Sequence, residues 1–153
     1  MNRKAFTLLE LLVVVLIIGI LSAIALPQYK MAVGKTKLAT LKDITKSLAG
    51  AAQRYSITNN TLEGATLQNI DIEVPSNTDC YIFQTVNEVR CCKNIVDNKI
   101  CLYYDSNTTA PKLCLAMGLD KKEYSHRLCQ KEIGKSNPTG CSNESGGYCT
   151  YYY

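Results

Sequence analysis

Residues 6–26 read FTLLELLVVVLIIGILSAIAL. Among these 21 residues only Thr7, Glu10, Gly19 and Ser22 are not apolar. As a helix rising 1.5 Å per residue the stretch covers roughly 31 Å, the thickness of a bilayer's hydrocarbon core. The run therefore predicts a helix buried in lipid or in a bundle of its own kind. The lead before it, Met1-Asn2-Arg3-Lys4-Ala5, is short and basic. Glu10 is the anomaly. A carboxylate inside an apolar span is costly and marks function by default, so it needs a counter-charge. If the lead is removed after Ala5, Phe6 gains a free α-amine, which is such a counter-charge for the Glu10 of a neighbouring copy. In a dry filament core that pair fixes axial register, because a mispaired carboxylate stays buried and uncompensated.

Two plainer readings compete. A secretory signal peptide has a basic start, an apolar stretch and a small-x-small cleavage pattern, here Ala23-Ile24-Ala25. The run is long for such a signal, and helical patterning resumes directly after Pro27. A simple single-pass anchor accounts for the length but not for Glu10. Beyond Pro27 the apolar positions Leu38, Leu41, Ile44, Leu48, Ala51, Ala52 and Tyr55 keep helical spacing, with Lys35, Lys37, Lys42, Lys46 and Arg54 between them. One helix is expected from Phe6 to Tyr55, roughly 75 Å long, with a kink at Pro27. Its first half is apolar all round and its second half amphipathic, the pattern of a helix buried in a bundle at one end and laid on a domain at the other.

Lys4-Ala5-Phe6-Thr7-Leu8-Leu9-Glu10-Leu11, then Val13 to Ala25 and Pro27-Gln28-Tyr29, resembles the N-terminus of type IV prepilins and pseudopilins. The resemblance covers about the first 30 residues. It implies cleavage between Ala5 and Phe6 by a prepilin peptidase and N-methylation of Phe6. It implies that Glu10 is the assembly glutamate, and that Gly19 and Pro27 bound a helix segment that loosens in the filament. The family's usual residue before the cut is glycine, where this chain has Ala5.

Eight cysteines, Cys80, Cys91, Cys92, Cys101, Cys114, Cys129, Cys141 and Cys149, all lie in the second half. No C-x-x-C occurs and His126 is the single histidine, so disulfides are favoured over a metal site. Disulfides need an oxidising compartment, which places the C-terminal part outside the cytoplasm. Charge leaves orientation open, since Arg3 and Lys4 precede the run while Lys30, Lys35, Lys37 and Lys42 follow it. The possible pairings are many. Short loops favour Cys114 with Cys129 and Cys141 with Cys149, and Cys92 with Cys101 crosses a proposed hairpin. Adjacent Cys91 and Cys92 point to opposite strand faces and do not pair with each other.

Strands are expected at Cys80 to Val86, Val89 to Ile95 and Lys99 to Tyr104, with a turn at Asp97-Asn98. Leu113 to Gly118 is a compact segment, Ser136 to Gly147 a loop, and Thr150 to Tyr153 a closing edge strand. The fold class is α+β: a long helix on a small antiparallel sheet with disulfide-stapled loops. The expected division is a leader at 1–5, a transmembrane or filament-core helix half at 6–26, an amphipathic half at 27–58 and a disulfide-rich head at 59–153.

The net charge is +4, two of it from Arg3 and Lys4, and no basic patch interleaved with aromatics indicates nucleic-acid readout. No catalytic constellation, metal site or cofactor motif stands out, and His126 is expected as a surface residue rather than a base. The leading expectation is a structural subunit of a type IV pilus serving adhesion, twitching motility or DNA uptake. Its partners would be identical or homologous pilins, a prepilin peptidase, inner-membrane assembly machinery and the membrane itself. It would sit in the inner membrane first and in an extracellular filament afterwards. The alternatives are a pseudopilin of a type II secretion system, or a secreted disulfide-rich protein with an ordinary signal peptide.

Overall fold

The structure, a computed structural model, describes residues 6–153. Ala5, and with it half of the expected cleavage junction, lies outside the described residues. Helix α1 spans Leu8–Asn59, 52 residues, and passes through Pro27 without interruption. It runs four residues past Tyr55, to Asn59. Thr58 Oγ1 donates to Arg54 O at 3.0 Å, and Asn59 Nδ2 donates to Tyr55 O at 2.9 Å. Asn60 then ends the helix in the left-handed region, φ 57°, which Asn tolerates better than most residues.

The two halves of α1 differ sharply. Every residue from Phe6 to Lys30 is exposed. From Met31 onward one face is buried, through Gly34, Leu38, Leu41, Thr45, Leu48 and Ala52. Leu41 and Leu48 are wholly inaccessible, and burying each stabilises the fold by roughly 1.5–3 kcal/mol.

That face lies on a six-stranded antiparallel sheet in the order β1-β2-β3-β4-β6-β5. Its strands are β1 Asp79–Phe83, β2 Glu88–Asn94, β3 Lys99–Asp105, β4 Pro111–Met117, β5 Gly140–Ser142 and β6 Tyr148–Tyr152. α1 packs on β2 and β3, while a second helix, α2 at Tyr124–Ile133, packs on β4, β6 and α1. Both helices cover one face, where Val89, Ile100, Leu102, Tyr104 and Tyr151 are buried. The α+β expectation holds: a long N-terminal helix rests on an antiparallel sheet with four disulfides.

Several local expectations are corrected. The compact segment at Leu113 to Gly118 is strand β4, in the middle of the sheet. The segment ending in Tyr151 and Tyr152 is not an edge, because β6 lies between β4 and β5. The expected loop at Ser136 to Gly147 contains β5, which pairs with β6. Helix α2 went unread because its apolar stripe is short and Lys121, Lys122, Arg127 and Lys131 dominate the local composition. His126 is fully buried rather than on the surface. Its Nε2 lies 3.1 Å from Gly118 O, an acceptor only, so that nitrogen donates, and Nδ1 pairs with the Tyr151 hydroxyl at 3.0 Å. Both ring nitrogens are thereby satisfied within the core.

Three disulfides join residues directly opposed on neighbouring strands: Cys80–Cys91, Cys92–Cys101 and Cys141–Cys149. The fourth, Cys114–Cys129, ties β4 to α2. Alternation on β2 sends Cys91 and Cys92 in opposite directions, each to its own partner strand.

α2 is held at both ends of its contact with the rest of the head. Gly34 admits it closely to α1: a Cβ there would lie 2.8 Å from Leu128 Cδ1 and 3.2 Å from Val96 Cγ2. Glu123, at the N-cap position, makes no side-chain capping bond. The Asp97 carboxylate, from the β2–β3 turn, instead accepts the amides of Tyr124 and Ser125. Asp97→Ala is therefore expected to cost about 1 kcal/mol, the usual worth of a cap. Thermal unfolding should show a drop of a few degrees, with the amides at the start of α2 exchanging faster while those of β3 stay protected.

Candidate assembly site

The exposed half of α1 has a lateral surface of about 1,000 Å², taking a cylinder about 10 Å across and about 31 Å long. Soluble monomers seldom leave apolar patches beyond a few hundred Å² uncovered. Phe6 is 82% exposed and Leu8 81%, and by length and composition α1 is apolar enough to cross a membrane. This surface demands lipid or neighbouring chains around it.

At its tip the sequence Thr7-x-x-Glu10 forms a reciprocal cap. Thr7 N and Thr7 Oγ1 both donate to Glu10 Oε2 at 2.8 Å, and Glu10 N donates to Thr7 Oγ1 at 3.2 Å. Two first-turn amides that the helix leaves without partners are thus satisfied, which matters where no water can serve them. Both Thr7 bonds fall on one carboxylate oxygen. Oε1 makes no hydrogen bond among the described residues, so Glu10 keeps a free acceptor while capping its own helix. Thr7 was missed in reading the sequence, although its spacing to Glu10 is that of a capping box.

Phe6 lies beside this cap, and Gly19 and Pro27 lie further along the same free half. A Cβ at Gly19 would have nothing within 4 Å, so in the lone chain no contact requires glycine there. The eight cysteines lie far from this tip, in the head. Among the described residues no cluster of three His, Cys, Asp or Glu side chains suits a metal ion.

The sheet face turned away from the helices carries a second feature that the sequence did not disclose. Arg90 stands 4.7 Å from the ring centre of Tyr81, 5.1 Å from Phe83 and 5.6 Å from Tyr103, and donates to Tyr103 Oη at 3.0 Å. Phe83 and Tyr103 stack at 6.3 Å. Cation–π contacts of this kind hold the guanidinium without a carboxylate. Strand alternation brings these residues together from β1, β2 and β3, which no linear motif reveals.

Residues 1–26 match the prokaryotic N-terminal methylation motif. A fimbrial protein of Moraxella nonliquefaciens is 32% identical over 112 residues, covering 70% of this chain and 68% of that protein. Fimbrial protein EcpC of Eikenella corrodens is 42% identical over 53 residues, 35% of each chain. The type II secretion system core protein G of Pseudomonas aeruginosa is 37% identical over 58 residues, 38% of this chain and 41% of that one. The chain thus spans about a third of EcpC and about two thirds of the Moraxella protein. No solved structure matches. With its uncovered apolar helix, capped at Glu10, and its disulfide-stapled sheet, the chain belongs to the type IV pilin and pseudopilin superfamily.

Proposed function

We propose that this chain is a structural subunit of a type IV pilus, assembled through the exposed half of α1. The observation that carries the reading is the tip of α1, where Glu10 Oε1 makes no hydrogen bond among the described residues, at the head of the exposed apolar half of the helix. In this reading residues 1–5 are a leader removed by a prepilin peptidase, and residues 6–26 sit first in the inner membrane and then in the filament core. Residues 27–58 carry the head, 59–153. The α-amine of a mature Phe6 meets Oε1 of a neighbour's Glu10, so the intersubunit bond forms without opening the neighbour's Thr7 cap. The stretch between Gly19 and Pro27 is where the helix loosens on assembly, since glycine and proline are its weakest helix formers. The heads form the outer surface and serve adhesion, motility or uptake.

A second reading, a pseudopilin of a type II secretion system, is favoured by the likeness to core protein G. Shearing separates the two: a pilus subunit is recovered in long surface filaments, whereas a pseudopilin at native expression stays with the cell envelope.

Processing is tested by mass spectrometry of the mature chain. The expected N-terminus is Phe6 carrying one added methyl group. An intact Met1, or a start at Leu26, would overturn the proposal, the latter in favour of an ordinary signal peptide.

A further inference from the structure

Where the apolar half of α1 stops, exposed cations gather. Lys30 and Lys35 stand on α1, and Arg127 and Lys131 stand on the first and second turns of α2. Between the helices runs a shallow groove of about 360 Å³, lined by Pro27, Met31, Ala32, Lys35, Arg127 and Lys131. None of these four cations is in an ion pair among the described residues. The carboxylates nearby are engaged elsewhere. Asp97 caps α2, Glu123 accepts from Asn98 Nδ2 at 3.2 Å, and Glu132 pairs with Lys42.

Height along α1 says what the groove meets. Leu26 is the last residue of the apolar run, so Lys30 lies about 6 Å beyond the hydrocarbon edge and Lys35 about 14 Å beyond it. The headgroup layer is roughly 5–8 Å thick on each side of the core. Lys30 falls inside it, and the long side chains of Lys35, Arg127 and Lys131 reach back towards it. The close approach at Gly34 fixes α2 against α1 at this level, so Arg127 and Lys131 keep a set height.

We propose that this basic base of the head docks on anionic phospholipid headgroups while the subunit waits in the bilayer, an inference that rests on the membrane-inserted reading above. The contact holds the head upright at a defined depth. It is electrostatic, so it weakens with salt and is given up when the subunit enters the filament.

The test uses the full chain reconstituted in phosphatidylcholine bilayers, with spin-labelled phosphatidylglycerol or phosphatidylcholine as the probe lipid. Wild type should enrich phosphatidylglycerol at its perimeter, and high salt should collapse the preference. A cation at an anionic surface contributes up to about fivefold. The R127Q/K131Q variant should lose at least about twofold of the preference, and K30Q/K35Q/R127Q/K131Q nearly all of it. All four side chains are exposed, so thermal unfolding should be unchanged; if a variant is unfolded, the wild-type salt titration decides alone. An R127Q/K131Q preference equal to wild type overturns the inference. If that variant also loses sheared filaments, the groove serves a neighbouring subunit's carboxylates instead. Carbonate extraction separates the two levels. A chain that resists extraction but shows no phosphatidylglycerol preference sinks this inference alone, whereas a chain that is extracted sinks the membrane reading with it.

Discussion

Glu10→Ala abolishes filaments while the subunit still inserts and its head still folds: this is the expected result of the most consequential substitution in the chain. Removing a carboxylate makes the apolar run more apolar, so insertion should improve if anything. The head begins to bury residues only at Met31, and position 10 touches none of it, so head stability should not change. Two things are lost at the tip. Thr7 loses the acceptor for its amide and its hydroxyl, so the first turn of α1 frays. The neighbour's Phe6 amine loses its counter-charge and stays buried alone, which is strongly unfavourable. Glu10→Gln separates these effects, because a single amide oxygen can still accept from Thr7 while the charge is gone. If charge pairing drives register, both variants should lower sheared filament relative to membrane-bound subunit, on the order of tenfold or more. If capping alone matters, Gln should behave as wild type. Normal filament yield from both variants would withdraw Glu10 from the assembly site.

The second large effect is expected at the head. Cys114 and Cys129 are completely buried, and their bond is the one disulfide that links a helix to the sheet. It closes a loop of 15 residues, for which chain entropy alone gives about 3 kcal/mol. Cys114→Ala with Cys129→Ala should therefore lower the Tm of the head by more than about 10 °C, since each kcal/mol is worth several degrees in a domain of this size. Removing Cys141–Cys149 should cost less. Chain entropy gives nearly as much for its 8-residue loop, about 2.5 kcal/mol, and Cys149 is buried, but Cys141 is exposed and ties down only the short edge strand β5, whose fraying recovers part of that loss. Calorimetry of the two double variants ranks them directly, and an equal loss from both would mean that α2 is held by packing around Leu128 and His126 and not by the covalent tie. Non-reducing digestion of wild type checks the four pairings independently.

The parts of this fold that the sequence disclosed are those whose physics is local. The apolar run at 6–26 and the 3.6-residue stripe from Leu38 to Tyr55 give one long helix with two environments, because each residue's burial there depends on neighbours three and four places away. The strands around Cys80, Val89 and Lys99 were legible for the same reason, being short β-rich runs separated by turn residues. Adjacent Cys91 and Cys92 declared opposite faces through strand alternation alone. Glu10 stood out because a charge in an apolar run is costly in any fold.

What stayed hidden depends on pieces far apart in the chain. Asp97 caps α2 from 27 residues away, so no window around Tyr124 shows the helix starting. His126 looks exposed among Tyr124, Ser125 and Arg127. Only the fold brings Gly118 O and the Tyr151 hydroxyl to its two nitrogens, which makes burial of a polar ring affordable. The final tyrosines read as an edge strand, but β5 adds itself outside them and moves β6 inward. The basic base of the head combines residues near positions 30 and 130, and Arg90 gathers its aromatic neighbours from three strands. By itself, then, the sequence determined the long helix, its membrane-length apolar half with Glu10, and an oxidised β-rich head. Tertiary structure decided where α2 and β6 lie and which surfaces assemble from distant segments, because sheet order and helix docking are set by long-range burial and hydrogen bonding that no local pattern encodes.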